Sequence, residues 1–180
     1  MEASPPPSYN ITPVVAKSIL GNGGLTLAGD SSSSIRVLIV DDNEFVRKQV
    51  RTVLSLQAGF DVVWESADGF DAIRRAQELQ PDVVLLDISL PQINGFQAAP
   101  LIKKFAPKTE LLFVTLHDNP LFVREAFAVG ARGFLVKTDV PSSLGEAVQA
   151  VHAKRLFVSK QLADIVSDRS AGPFPRRNIA

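Results

Sequence analysis

Apolar and polar positions alternate in blocks through the middle of the chain. "IRVLIV" is a continuous apolar run ending on Asp41, the pattern of a strand buried on both faces. Val46, Val50, Val53 and Leu54 then recur at helical spacing until "AGF" stops them. "DVVWE" predicts a second strand. "ADGFDAIRRAQELQP" predicts a second helix, with Ala72, Ile73, Ala76 and Leu79 inward and Pro81 beyond its end. "DVVLLD" is a third strand. "NGFQAAPLIKKFAP" reads as a helix despite Pro100, which is expected to kink or end it at about 3 kcal/mol if unaccommodated. "ELLFVT" is a fourth strand. "NPLFVREAFAVGA" is a helix capped by Asn119, with Pro120 at its first position and Gly130 at its end. "GFLVK" is a fifth strand. "PSSLGEAVQAVHA" is a fifth helix with Leu144, Val148 and Val151 on one face; Gly145 weakens it by up to about 1 kcal/mol against alanine. "SKQLADIVSD" leaves room for a short sixth helix.

Strand and helix thus alternate five times over about 120 residues, which predicts an α/β fold with a parallel sheet covered by helices on both faces. Right-handed crossovers make it doubly wound. Ligands of such sheets sit at the carboxyl ends of the strands, where the strand order reverses. The flanks differ from this core. Residues 1–34 carry "ASPPPS", "GNGG" and "GDSSSS", the composition of a flexible leader; "VVAKSIL" within it allows a short helical turn. The expected division is a leader at 1–34, a domain at 35–154, and a short helix with a tail at 155–180.

Composition narrows the function classes. Lysine plus arginine equals aspartate plus glutamate at 19 each, so net charge gives no case for nucleic acid or an anionic membrane. The absence of cysteine removes disulfides and thiolate chemistry and suits a cytoplasmic protein. No apolar run approaches the roughly 20 residues of a membrane span, and the first residues lack the pattern of a signal peptide.

The chemistry is at the strand ends. The first predicted strand ends on Asp41 and Asp42, the third on Asp87, the fourth on Thr115 and the fifth on Lys137. Singly, each has a plain reading: the aspartate pair favours a helix N-terminus, Asp87 caps a strand, Thr115 is a β-former and Lys137 is a solvated end. Jointly, on successive strand ends, they predict one acidic pocket. Grouped carboxylates raise each other's pKa unless a cation joins them, and oxygen-only donors suit Mg²⁺. A metal, a lysine and a hydroxyl around one carboxylate make a phosphoryl-transfer site with Asp87 as nucleophile.

"VLIVDDNEFVR", "VVLLDISLPQINGF", "LLFVTLHD" and "GARGFLVK" together resemble the receiver domain of bacterial two-component response regulators, from about Ile35 to about Val151. "TLHDN" with "VREAFAVGARGFLVK" resembles the NarL/FixJ-type subgroup. The resemblance implies a flavodoxin-like five-stranded sheet of order 2-1-3-4-5. It implies Asp87 as phosphoacceptor and Asp42, assisted by Asp41, as Mg²⁺ ligands. The Ser89 backbone carbonyl would join the metal, Thr115 and Lys137 would engage the phosphoryl group, and Phe134 would be the switch aromatic. Ser89 and His117 should rim the pocket; His117 has readings as a general base and, more plainly, as a rim residue. The expected partners are a sensor histidine kinase or phosphotransfer protein, and a protein target on the face of the fourth helix, fifth strand and fifth helix. Monomer and homodimer stay open.

Thr138 stands where the family often has proline, which leaves the geometry of the preceding bond open. NarL/FixJ-type regulators usually continue into a helix-turn-helix domain, whereas "DRSAGPFPRRNIA" reads as linker. The expectation is a phosphorylation switch acting by protein contact, without direct DNA binding. The alternative is a DNA-binding regulator that has lost its output domain. An aspartate-nucleophile phosphatase is disfavoured, because Ser89 stands where such an enzyme carries its acid.

Overall fold

The computed structural model describes residues 34–167, with side chains up to residue 163. Nearly all of the leader, "VVAKSIL" included, and the end of the tail lie outside the described residues. In chain order the elements are β1 (Ile35–Val40), α1 (Glu44–Ser55), β2 (Phe60–Ser66), α2 (Gly69–Leu79), β3 (Val83–Leu86), α3 (Gly95–Phe105), β4 (Glu110–Thr115), α4 (Pro120–Ala128) and β5 (Gly133–Val136). A single 3₁₀ turn (Lys137–Asp139) then leads into α5 (Val140–His152), β6 (Phe157–Val158) and α6 (Lys160–Ser167).

All strands pair in parallel in the order β2-β1-β3-β4-β5-β6. The doubly wound α/β expectation therefore holds, with a sixth strand added. Two residues, Phe157 and Val158, are too short a run to show a period, so β6 is recognisable only by its pairing with Gly133 and Phe134. The sheet consequently extends beyond residue 154.

Alternation along the strands divides the core. Val37, Ile39, Leu85, Val114 and Leu135 pack with Val50 and Leu54 of α1 and Leu144, Val148 and Val151 of α5. Leu38, Val40, Leu86, Phe113 and Phe134 face the other layer, with Ala72 and Ala76 of α2, Ile102 of α3, Val123 of α4 and Leu162 of α6. β1 from Val37 onward and β3 serve both layers, which is why those stretches are apolar at every position.

Two predicted weak points have structural accommodations. Pro100 does not end α3, which continues to Phe105. The proline is on the exposed face, and its missing N–H leaves the Phe96 carbonyl without its usual partner inside a helix that continues regardless. Gly145 is buried in α5. A Cβ there would collide with the Gln57 side-chain amide, so the missing side chain admits Gln57, two residues beyond the end of α1. Asn119 caps α4 by accepting from the Leu121 N–H, and Gly130 just beyond the helix has φ +95°. Among the described residues no peptide bond is cis.

Candidate functional site

Parallel pairing sends the carboxyl ends of the strands to one edge, and the register decides which residues meet there. Val40 pairs with Leu86 and Thr115 pairs with Val136. Asp41 and Asp87 are therefore the next residues out on neighbouring strands, and Lys137 follows directly on the partner of Thr115. The Asp87 N–H donates to the Val40 carbonyl at 2.9 Å and the Asp41 N–H to the Ser66 carbonyl at 3.1 Å, so backbone bonds hold both acids at the root.

Asp41 and Asp87 are buried, while Asp42 is exposed. Oxygen atoms from the three carboxylates lie within 4.8 Å of one another. Lys137 bridges the buried pair, with Nζ 2.6 Å from Asp41 Oδ2 and 2.7 Å from Asp87 Oδ2. Asp87 Oδ1 accepts from the Ile88 N–H at 2.7 Å. Burial pushes the Asp41 carboxyl above its ordinary value, and the Lys137 hydrogen bond only partly opposes this. For Lys137, burial acts downward, but hydrogen bonds and charge attraction from Asp41 and Asp87 carry it above the ordinary lysine value.

The aspartate pair lies just before the N-terminus of α1, as its plain reading had it, but neither residue caps the helix. Asn43 caps α1, accepting from the Phe45 and Val46 N–H groups. Asp41 instead uses Oδ1 to accept from the Asn43 N–H at 3.0 Å, leaving Asp42 free to face the pocket opening.

Thr115 is fully buried, and its Oγ1 accepts from the His117 N–H at 3.3 Å. His117 Nε2 lies 3.2 Å from Ser89 Oγ, so the two expected rim residues meet across the mouth. The His117 ring packs at 4.6 Å on Phe122, which stacks on Phe96, itself 5.1 Å from Phe113. This column ties the rim to the core. Phe134 is fully buried and inward.

Two contributors escaped the sequence reading. Arg47 of α1 donates to the Asp41 carbonyl at 2.7 Å while pairing with Glu65 at 3.6 Å; its only sequence signal is a place beside the apolar stripe of α1. Gly95 opens α3 so close to β3 that a Cβ would lie 2.2 Å from the Asp87 carbonyl oxygen. A glycine after Asn94, a capping residue, was the available signal.

Residues 37–149 match the response regulator receiver domain. The chain belongs to the response regulator receiver family. It is 36% identical over 116 residues to the chemotaxis protein CheY of Thermotoga maritima, covering 64% of this chain and 96% of that protein. It is 33% identical over 139 residues to YxjL of Bacillus subtilis, an uncharacterized transcriptional regulatory protein, covering 77% of this chain and 64% of that one. A two-component response regulator of the LuxR family from Aurantimonas sp. SI85-9A1 superposes with a TM-score of 0.72 at 32% identity, covering 76% of this chain and 97% of that structure. The chain spans between about half and two thirds of the length of several curated regulators it matches. Receiver domains are phosphoacceptor signalling domains that interact with histidine kinases and phosphotransfer proteins. Among the described residues no helix is long and apolar enough to cross a membrane.

The acidic cluster fits the Mg²⁺ that receivers generally bind. Its donors are all oxygen, from two buried carboxylates and one exposed one, which is the donor chemistry a hard divalent cation takes.

Proposed function

We propose that this receiver is a phosphorylation-dependent switch that accepts a phosphoryl group on Asp87 from a histidine kinase or a small phosphodonor. The observation that carries the reading is the bridge from Lys137 to Asp41 and Asp87, beside a buried Thr115 on the adjoining strand end. A carboxylate oxygen of Asp87 forms the new bond to phosphorus. The phosphorus–nitrogen bond of a phosphohistidine, or the phosphorus–oxygen bond of an acyl phosphate, breaks, and the leaving group keeps the electron pair. Asp41, Asp42 and Asp87 would hold Mg²⁺, with the Ser89 carbonyl as a further ligand; the ion would supply charge neutralisation at the phosphoryl oxygens.

The rest is done by the chain's own groups. Lys137 offsets charge on the phosphoryl oxygens from its position against Asp87. Thr115 turns its hydroxyl toward them, which competes with the bond it accepts from the His117 N–H. Phe134 responds to the space that Thr115 leaves, and the α4–β5–α5 face changes for a protein target. Part of that face is already covered, since β6 pairs with β5 and α6 packs against α4. His117, bonded to Ser89 and seated on Phe122, serves as a rim residue. A cytoplasmic location accords with donors of this class.

The test is intact mass after incubation with acetyl phosphate and Mg²⁺, beside Asp87→Asn. The expected result is one phosphoryl group gained, and lost in the variant and without Mg²⁺. No gain in folded protein, sampled quickly at high donor concentration, would overturn the reading.

A further inference from the structure

We infer that β6 and α6 form a strap that reads the state of the phosphorylation pocket, with Ser159 as the positioning residue that connects the two. The inference rests on the receiver function proposed above. β5 carries Phe134 and leads directly into Lys137, and Ser159 grips it twice. The Ser159 N–H donates to the Phe134 carbonyl at 3.0 Å, and Ser159 Oγ accepts from the Val136 N–H at 2.9 Å. Ser159 is 1% exposed, so a Val136 N–H deprived of this acceptor would be left buried without a partner. On the other side, the Lys137 carbonyl accepts from the Val140 N–H. The backbone that aims Lys137 at Asp41 and Asp87 is thus held by a serine from the end of the sheet and by the start of α5.

The same serine anchors the strap. Its carbonyl accepts from the Leu162 N–H at 2.9 Å. Leu162 is 2% exposed and belongs to the cluster that holds Phe134, Val123 and Ala126. One end of the strap therefore bonds to the strand of the lysine and the aromatic, and the other packs with α4. Any shift of the β5 backbone that accompanies the response of Lys137 and Phe134 to a phosphoryl group must either carry β6 along or break bonds to it. Coupling of this kind is reciprocal: if phosphorylation changes how firmly the strap is docked, loosening the strap changes how Asp87 reacts.

The test combines hydrogen exchange of residues 157–163 with intact mass, in the full chain with Mg²⁺ and acetyl phosphate. Phosphorylation should change exchange in that segment by at least about fivefold. Ser159→Ala should change the rate of phosphoryl gain or loss on Asp87 by about tenfold, the scale of one lost buried hydrogen bond. Ser159→Thr, which keeps the hydroxyl, should stay near the parent. A purely structural serine would alter stability in Ser159→Ala but leave those rates at the parental value, and that result would overturn the inference. So would full phosphoryl occupancy with unchanged exchange at 157–163, a measurement on the parent protein that stands even if Ser159→Ala fails to fold. Absence of any phosphoryl gain in the folded parent is a separate outcome, read by mass; it would overturn the receiver reading and this inference with it.

Discussion

Replacing Lys137 with methionine tests the charge balance of the pocket while keeping most of the side-chain volume. The ammonium lies 2.6 and 2.7 Å from two carboxylates. Unit charges 4.8 Å apart, the outer limit for the clustered oxygens, repel by about 3.5 kcal/mol at an effective dielectric of about 20. Each lysine contact attracts by about 6 kcal/mol on the same scale. Desolvation of the ammonium offsets much of this attraction, so Lys137→Met should lose about 3–5 kcal/mol, the range for a buried pair deprived of one partner. Asp87→Asn removes one of the repelling charges. The double variant should therefore recover at least about 1.5 kcal/mol of the sum of the two single effects. Urea unfolding in chelator-treated buffer measures all four proteins of the cycle. A loss below about 1 kcal/mol in Lys137→Met, or strict additivity in the double variant, would refute the electrostatic account.

Lys137 also sets an alkaline limit. Its folded value is raised, so above the ordinary value of 10.5 the unfolded chain releases this proton first. Stability then falls as pH rises from there through the folded value, and the component of that fall due to Lys137 should be missing from urea midpoints of Lys137→Met. Gly95→Ala should destabilise the fold by about 2 kcal/mol or more, because the clash is with the backbone of Asp87 itself. It should also slow phosphoryl gain by intact mass; a stable, fully reactive variant would show that the close approach is dispensable. Pro100→Ala should stabilise by about 1–3 kcal/mol in thermal or urea unfolding, since it returns a missing N–H to an exposed helix turn. No gain would mean that the proline's restriction of the unfolded chain offsets the lost bond.

Much of the fold was legible because two-sided burial leaves a strong mark. "IRVLIV" and "DVVLLD" have to be interior strands, and a charged residue at the end of such a run can only emerge at the sheet edge. That reasoning selected Asp41, Asp87, Thr115 and Lys137, and the structure brings the first two and Lys137 into contact, with Thr115 on the adjoining strand end. Arg47, Gly95 and Ser159 were not legible in the same way. Each acts through a backbone atom of another segment, that of Asp41, Asp87 or Val136, and such a contact leaves no hydrophobic period to read. Pro100 is a related case: α3 continues past it to Phe105, because tertiary packing holds the helix, and local sequence does not state that packing.

The sequence by itself determined the alternation of strands and helices, the two-layer core and the polar identity of the strand ends, because hydrophobic period and chain chirality act locally. Only the tertiary structure decided that Lys137 bridges Asp41 and Asp87, that His117 meets Ser89, and that β6 closes the sheet against β5. These contacts depend on strand register and on a few ångströms of approach between segments far apart in the chain. Many sequences with the same apolar pattern would share the fold and place those side chains differently.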